Sequence, residues 1–215
     1  MSIHVKLCGI NTPEAMDAAV SAGADMVGFN FYPPSPRAVE PQAAAGLAER
    51  AGHRTLKVGL FVEPDDELLT RVTQSVPLDL LQLHGHIPPK RVAEIRARFG
   101  LPVMLALPIA REDDFQAVVP FEPVADRFLF DAKPPKSMKD ALPGGNAISF
   151  DWQLLAGRSF RRPWMLAGGL TTDNVAQAVE ISGAKAVDTA SGVEEAPGKK
   201  SVEKIKAFVE AARRL

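Results

Sequence analysis

The chain has 215 residues, 46% of them apolar, with 25 Lys and Arg against 26 Asp and Glu. This predicts a large buried core and excludes a disordered chain, while the balanced charge speaks against an electrostatic grip on nucleic acid or an anionic membrane. No run approaches the roughly 20 uninterrupted apolar residues that span a bilayer.

The chain opens on a strand-like run, residues 3–7, with no signal-peptide h-region before it. Its one cysteine, Cys8, has no partner for an internal disulfide, which fits a reducing, cytoplasmic setting. Thr12, Pro13 and Glu14 then supply an N-cap, a proline at the first helical position and an early acid, and that helix ends near Gly23. The pattern repeats down the chain. Strand-like runs at 26–29, 56–62, 78–83, 103–107, 127–130, 164–167 and 185–187 are followed by helix-like stretches at 41–50, from 65, 88–99, 111–118, 150–157, 172–182 and 201–214. Eight strand–helix units of about 27 residues each, without a linker-like break, predict one domain over residues 1–215. Alternating strands and helices imply a parallel sheet with right-handed crossovers, and eight units suit a closed (βα)8 TIM barrel with an outer ring of helices. The rival is a doubly wound open sheet. It would usually carry a GxGxxG turn after the first strand, where this chain has Cys8-Gly9-Ile10-Asn11.

Two loops are longer than such an economy requires, residues 30–40 and 132–149, the latter holding Pro134, Pro135, Pro143, Gly144 and Gly145. Both leave the C-terminal ends of strands, the catalytic face of these barrels. A tolerated insertion is the plain reading; a binding or covering loop is the functional one.

Side chains alternate along a strand, so Cys8 shares a face with Lys6 and His4, opposite Ile3, Val5 and Leu7. The apolar set should face the helices, which turns Lys6 and Cys8 to the barrel axis. A lone cysteine is ordinarily a small buried hydrophobe, but one at a strand's C-terminal end beside a lysine is a candidate base with a lowered pKa. Asp131 ends strand 6; it either caps a turn or serves as a proton donor or acceptor across the mouth. Gln82 and His84 end strand 4 with both side chains inward, as substrate contacts. Arg37, on a proline-stiffened loop, is a candidate for bidentate grip on a carboxylate. Gly168 and Gly169 after strand 7, and Asp188, Ser191 and Gly192 in and after strand 8, fall where these barrels hold phosphate. Lys199 and Lys200 read mainly as the solvated start of the last helix. The histidines and acids form no spaced ligand set, so no metal is expected.

In order, Lys6-Leu7-Cys8-Gly9-Ile10, residues 23–29 leading to Phe31-Tyr32-Pro33-Pro34-Ser35-Pro36-Arg37, residues 58–62, Leu81-Gln82-Leu83-His84-Gly85, Phe130-Asp131, residues 166–170 and Ser191-Gly192-Val193-Glu194 resemble the phosphoribosylanthranilate isomerase family nearly end to end. The resemblance implies an Amadori rearrangement without a cofactor, in tryptophan biosynthesis, by a monomer or homodimer. It also implies that Cys8 is the base, Asp131 the acid, Arg37 the carboxylate site, and Gly168, Gly169, Ser191 and Gly192 the phosphate loops. Two positions depart from the pattern: Ala190 stands where a serine is common and Ala147 where a glycine is. A Schiff-base aldolase using Lys133, and a phospho-ligand-binding barrel without catalysis, are the competing readings.

Overall fold

The computed structural model describes residues 2–135, 137, 142 and 144–215, so Pro143 of the predicted long loop lies outside the described residues. Eight parallel strands close into a barrel: β1 (His4–Cys8), β2 (Met26–Asn30), β3 (Leu56–Val62), β4 (Leu80–His84), β5 (Val103–Ile109), β6 (Arg127–Ala132), β7 (Trp164–Leu166) and β8 (Ala186–Thr189). Closure is made by β1, which pairs with β2 on one side and with β8 on the other, placing Lys6 beside Asp188.

Strand alternation sorts two cores. Val5, Leu7, Val27, Phe29, Leu81, Leu83, Phe128 and Phe130 point outward to the helices, while Met26, Val58, Leu80, Met104, Ala106, Leu129, Met165 and Ala167 fill the barrel. Lys6 points inward with them and is fully buried. His4 is exposed, its Nδ1 3.2 Å from Asp25.

Among the described residues six α-helices surround the barrel: α1 (Pro13–Ala22), α2 (Pro41–Ala51), α3 (Asp66–Ser75), α4 (Pro89–Phe99), α5 (Val175–Ser182) and α6 (Val202–Arg213). Local chemistry starts them. Thr12 Oγ1 accepts from the Ala15 N–H, Asp65 Oδ1 from Leu68, and Ser201 Oγ from Lys204.

The expected helices after strands 5 and 6 are 3-10 turns, Glu112–Ala117 and Trp152–Leu155. In the first, the Asp114 carboxylate takes the N–H groups of Ala110 and Arg111 at 2.8 and 3.1 Å, a local alternative to helical bonding. In the second, Asp151 captures the Gln153 N–H and Gly157, at φ +70°, ends the turn. Helix α5 begins three residues later than its periodicity suggests. The Asn174 side chain binds the Thr171 N–H and the Gly169 carbonyl, holding that stretch as a turn. A further hairpin, β9 (Glu194–Ala196) with β10 (Lys199–Lys200), follows β8 where the sequence reads as a helix start.

Candidate active site

The C-terminal mouth of the barrel is a cavity into which Cys8, Arg37, Gln82, His84, Asp131 and Asp188 all open. Cys8 ends β1, where Gly28 of the neighbouring strand leaves it room: a Cβ there would stand 3.1 Å from Cys8 Sγ and 3.3 Å from Lys6 Nζ. Lys6 Nζ donates to Asp188 Oδ1 at 2.8 Å, joining the first and last strands beneath the thiol. Burial opposes the lysine's charge, but Asp188 and Cys8 outweigh it and leave its pKa above the ordinary value. Lys6 was expected to bring the thiol's pKa down. It does act in that direction, yet burial dominates and, with Asp188 adding to it, holds the Cys8 thiol above 9.0.

Asp131 lies at the end of β6 and is 9% exposed. Burial first, then the nearby Asp188 charge, pushes its pKa up to about 7, while the Ala132 N–H on Oδ1 (2.8 Å) and Lys6 act against the rise. The mouth therefore holds a carboxyl that keeps its proton up to neutral pH and a thiol within the same cavity, two groups whose environments suit paired acid and base work.

Gln82 and His84 are buried in β4, their Nε2 atoms 2.6 Å apart. Gly144 and Gly145 of the long loop after β6 lie against this wall. A Cβ on Gly144 would stand 2.8 Å from Asp131 Oδ2 and 3.2 Å from His84 Cε1, and one on Gly145 2.7 Å from Arg37 Nη1. Gly144 and Gly145 thus lie over acid, histidine and arginine together.

Arg37 is buried although it sits on a loop. It is 5% exposed, and its Nε and Nη2 donate to the Glu194 carboxylate at 2.8 and 2.9 Å. The loop is stiffened from inside by Asn30, which donates to Ser35 Oγ and accepts from the Tyr32 N–H, and by Ser35, which accepts from the Arg37 N–H. Gly9, at φ +75°, admits the arginine stem: a Cβ there would meet Arg37 Cδ at 2.8 Å.

The glycines after β7 and β8, expected from the sequence to approach a phosphate, have a packing reason of their own. A Cβ on Gly168 would lie 2.8 Å from the Ala132 nitrogen, and one on Gly169 about 3 Å from the Ile148–Ser149 backbone. Gly192 is tighter still, its Cβ position 1.9 Å from the Leu170 carbonyl oxygen, to which Thr189 Oγ1 also donates. They seat the long loop and the Ser191–Val193 3-10 turn. Asp188, grouped with the phosphate loops in the sequence, is committed to Lys6 and faces the mouth.

Sequence reasoning missed Glu194 and misplaced Lys200. Far from being a solvated helix start, Lys200 has a side chain only 1% exposed and sits 2.9 Å from Glu194. The signal was available in two lysines flanked by Gly198 and Ser201, a hairpin-turn glycine and a helix cap, which together place Lys200 before the helix rather than on it. Lys133 is half exposed and its Nζ donates to Asp114 at 2.9 Å, so the amine is engaged in an ion pair rather than presented free to a carbonyl substrate. Among the described residues no group of three or more His, Cys, Asp or Glu is arranged to hold a metal ion, and no helix is long and apolar enough to cross a membrane.

A closed eight-stranded parallel barrel with a buried acid and thiol at its catalytic mouth defines a TIM-barrel enzyme of the acid–base kind. The family model for N-(5'-phosphoribosyl)anthranilate isomerase matches residues 5–211. A relative of that name from Paramagnetospirillum magneticum is 58% identical over 99% of this chain and 98% of its own. The solved phosphoribosyl anthranilate isomerase from Thermotoga maritima superposes with a TM-score of 0.88 at 34% identity, covering 99% of this chain and all of its own. A second solved isomerase, in complex with reduced 1-(o-carboxyphenylamino)-1-deoxyribulose 5-phosphate, gives 0.84 at 32% identity, covering 99% of this chain and all of its own. The chain belongs to the N-(5'-phosphoribosyl)anthranilate isomerase family.

Proposed function

We propose that the chain, as one catalytic domain, converts N-(5'-phosphoribosyl)anthranilate to 1-(2-carboxyphenylamino)-1-deoxyribulose 5-phosphate in tryptophan biosynthesis, with Asp131 as general acid and Cys8 as general base. Asp131 gives its proton to the furanose ring oxygen; the C1–O bond breaks and the anthranilate nitrogen's lone pair forms the iminium. Cys8 as thiolate then takes the proton from C2, and the C2–H electrons move into a C1–C2 double bond, giving an enamine. That enol-amine tautomerises to the ketone. The substrate's own nitrogen is the electron sink, so the steps need no cofactor. The iminium beside C2 makes that C–H acidic, which suits a base whose thiol is otherwise reluctant to ionise.

Arg37 takes the anthranilate carboxylate, and the loops after β7 and β8, through Gly168, Gly169, Ser191 and Gly192, take the phosphate; Gln82, His84 and Asp188 bound the sugar between them. Fixing both ends aligns C2 with the sulfur. The observation that carries this reading is the Asp131 carboxyl, protonated to about pH 7, sharing one cavity with Cys8. A cytoplasmic location goes with the same reading. Its test is the fluorescence assay of phosphoribosylanthranilate consumption: Cys8→Ala and Asp131→Asn should each lose roughly 10²–10⁴ in turnover. Near-normal turnover in either variant contradicts the assignment. Phosphate-analogue binding without turnover in the unaltered chain would instead favour a non-catalytic barrel.

A further inference from the structure

Arg37 does not stand alone over the mouth. Glu194 occupies the side edge of its guanidinium, accepting from Nε at 2.8 Å and Nη2 at 2.9 Å. Of the five N–H donors that an arginine carries, three are left over, and two of these, one each on Nη1 and Nη2, form the end of the fork. Both nitrogens of that end lie by Gly145, 2.7 and 3.8 Å from a Cβ placed there, and Arg37 and Gly145 both line the cavity. Glu194 is itself braced from behind. Lys200 Nζ lies 2.9 Å from Glu194 Oε1 and donates to the Ala190 carbonyl at 2.8 Å, and Lys204 Nζ donates to the Glu194 carbonyl at 2.7 Å. The side chains of Arg37, Glu194 and Lys200 are 6%, 4% and 1% exposed.

Two cations and one anion buried together leave one positive charge unmatched within the group. A buried triad of this kind is no better for stability than well-packed apolar side chains, so a stabilising role alone explains it poorly. An anion at the free end of Arg37 completes the balance. The Ala190 carbonyl belongs to the loop after β8, so the same lysine ties the arginine's support to the phosphate end of the site.

We propose that Glu194 and Lys200 are positioning residues: they lock the Arg37 fork with its end edge toward the substrate carboxylate and brace it against the Ala190 loop. This rests on the reading of Arg37 as the carboxylate site. The test is steady-state kinetics with phosphoribosylanthranilate and with N-(5'-phosphoribosyl)aniline, which lacks only the ring carboxylate. Glu194→Gln is expected to raise KM for the first substrate about 10–100-fold with kcat within about threefold, the mark of lost binding rather than lost chemistry, and to leave the second nearly unchanged. Equal losses on both substrates, or none on either, overturn the proposal. Should Glu194→Gln fail to fold, Lys200→Met keeps the Arg37–Glu194 pair and cuts only the brace; a carboxylate-selective KM rise supports the proposal and its absence overturns it. Arg37→Ala, run alongside, separates the two levels. If it does not discriminate between the substrates, the carboxylate reading of Arg37 fails; if it discriminates and the Glu194 and Lys200 variants do not, only the positioning role fails.

Discussion

Replacing Asp131 by Asn should make the protein more stable at alkaline pH while disabling it. The folded state holds the Asp131 proton up to about pH 7, against an ordinary value of 3.8. Between those two values the folded chain binds more protons than the unfolded one, so stability falls as pH rises through the interval and levels off above it. At about 1.36 kcal/mol per pH unit the loss amounts to about 4 kcal/mol, and solvent at the mouth screens part of it, leaving about 2–4 kcal/mol. Asparagine keeps the shape and an oxygen for the Ala132 N–H but has no charge to bury. Thermal denaturation followed by circular dichroism at pH 8.5 should therefore show the variant melting about 4–16 °C above the unaltered chain. At pH 4.5 the two should melt within about 3 °C of each other. An equal gain at both pH values, or none at pH 8.5, refutes the claim that a buried ionised carboxylate burdens the folded state.

Three further outcomes follow from particular contacts. Lys6→Met strands Asp188 as an unpaired buried charge and should cost about 3–5 kcal/mol in urea unfolding, with Asp188 retained; the double variant Lys6→Met with Asp188→Asn should recover much of that. Gly192→Ala puts a Cβ 1.9 Å from the Leu170 carbonyl, so the loop must move; KM for the phosphorylated substrate should rise about tenfold or more in steady-state assays, whereas a nearby Ala190→Ser should change it by less than about threefold. Iodoacetamide alkylation of Cys8, followed by mass spectrometry from pH 6 to 10, should still be accelerating at pH 9.0, because burial holds the thiol protonated there.

The barrel was legible because its signal is redundant. Eight apolar runs, each followed by a helical period or a capping residue, survive the loss of any one. The two helices that proved to be 3-10 turns were misread for a local reason, since apolar spacing at 111–118 and 150–157 says nothing about Asp114 or Asp151 competing for backbone N–H groups. The proposed acid and base were legible as positions, at the ends of strands 1 and 6. Their titration was not: Lys6 next to Cys8 in sequence suggests a lowered thiol pKa, and only the three-dimensional burial reverses the direction. Arg37 was found, but its partner Glu194 lies 157 residues away and reaches it only when the barrel closes. Lys200 was hidden by the run Lys199-Lys200, in which one lysine is exposed and the other fully enclosed.

The central claim is a protonated Asp131 working with an ionised Cys8, and the pH dependence of kcat/KM for phosphoribosylanthranilate tests it most directly. The unaltered chain should rise to a plateau near pH 7 and fall only beyond 9.0, with Asp131 ionisation setting the lower break and Cys8 ionisation the upper. In Asp131→Asn the residual rate should lose the break near pH 7 and keep rising past pH 9.0, following thiol ionisation alone. A levelling near pH 7 that persists in Asp131→Asn would contradict the account.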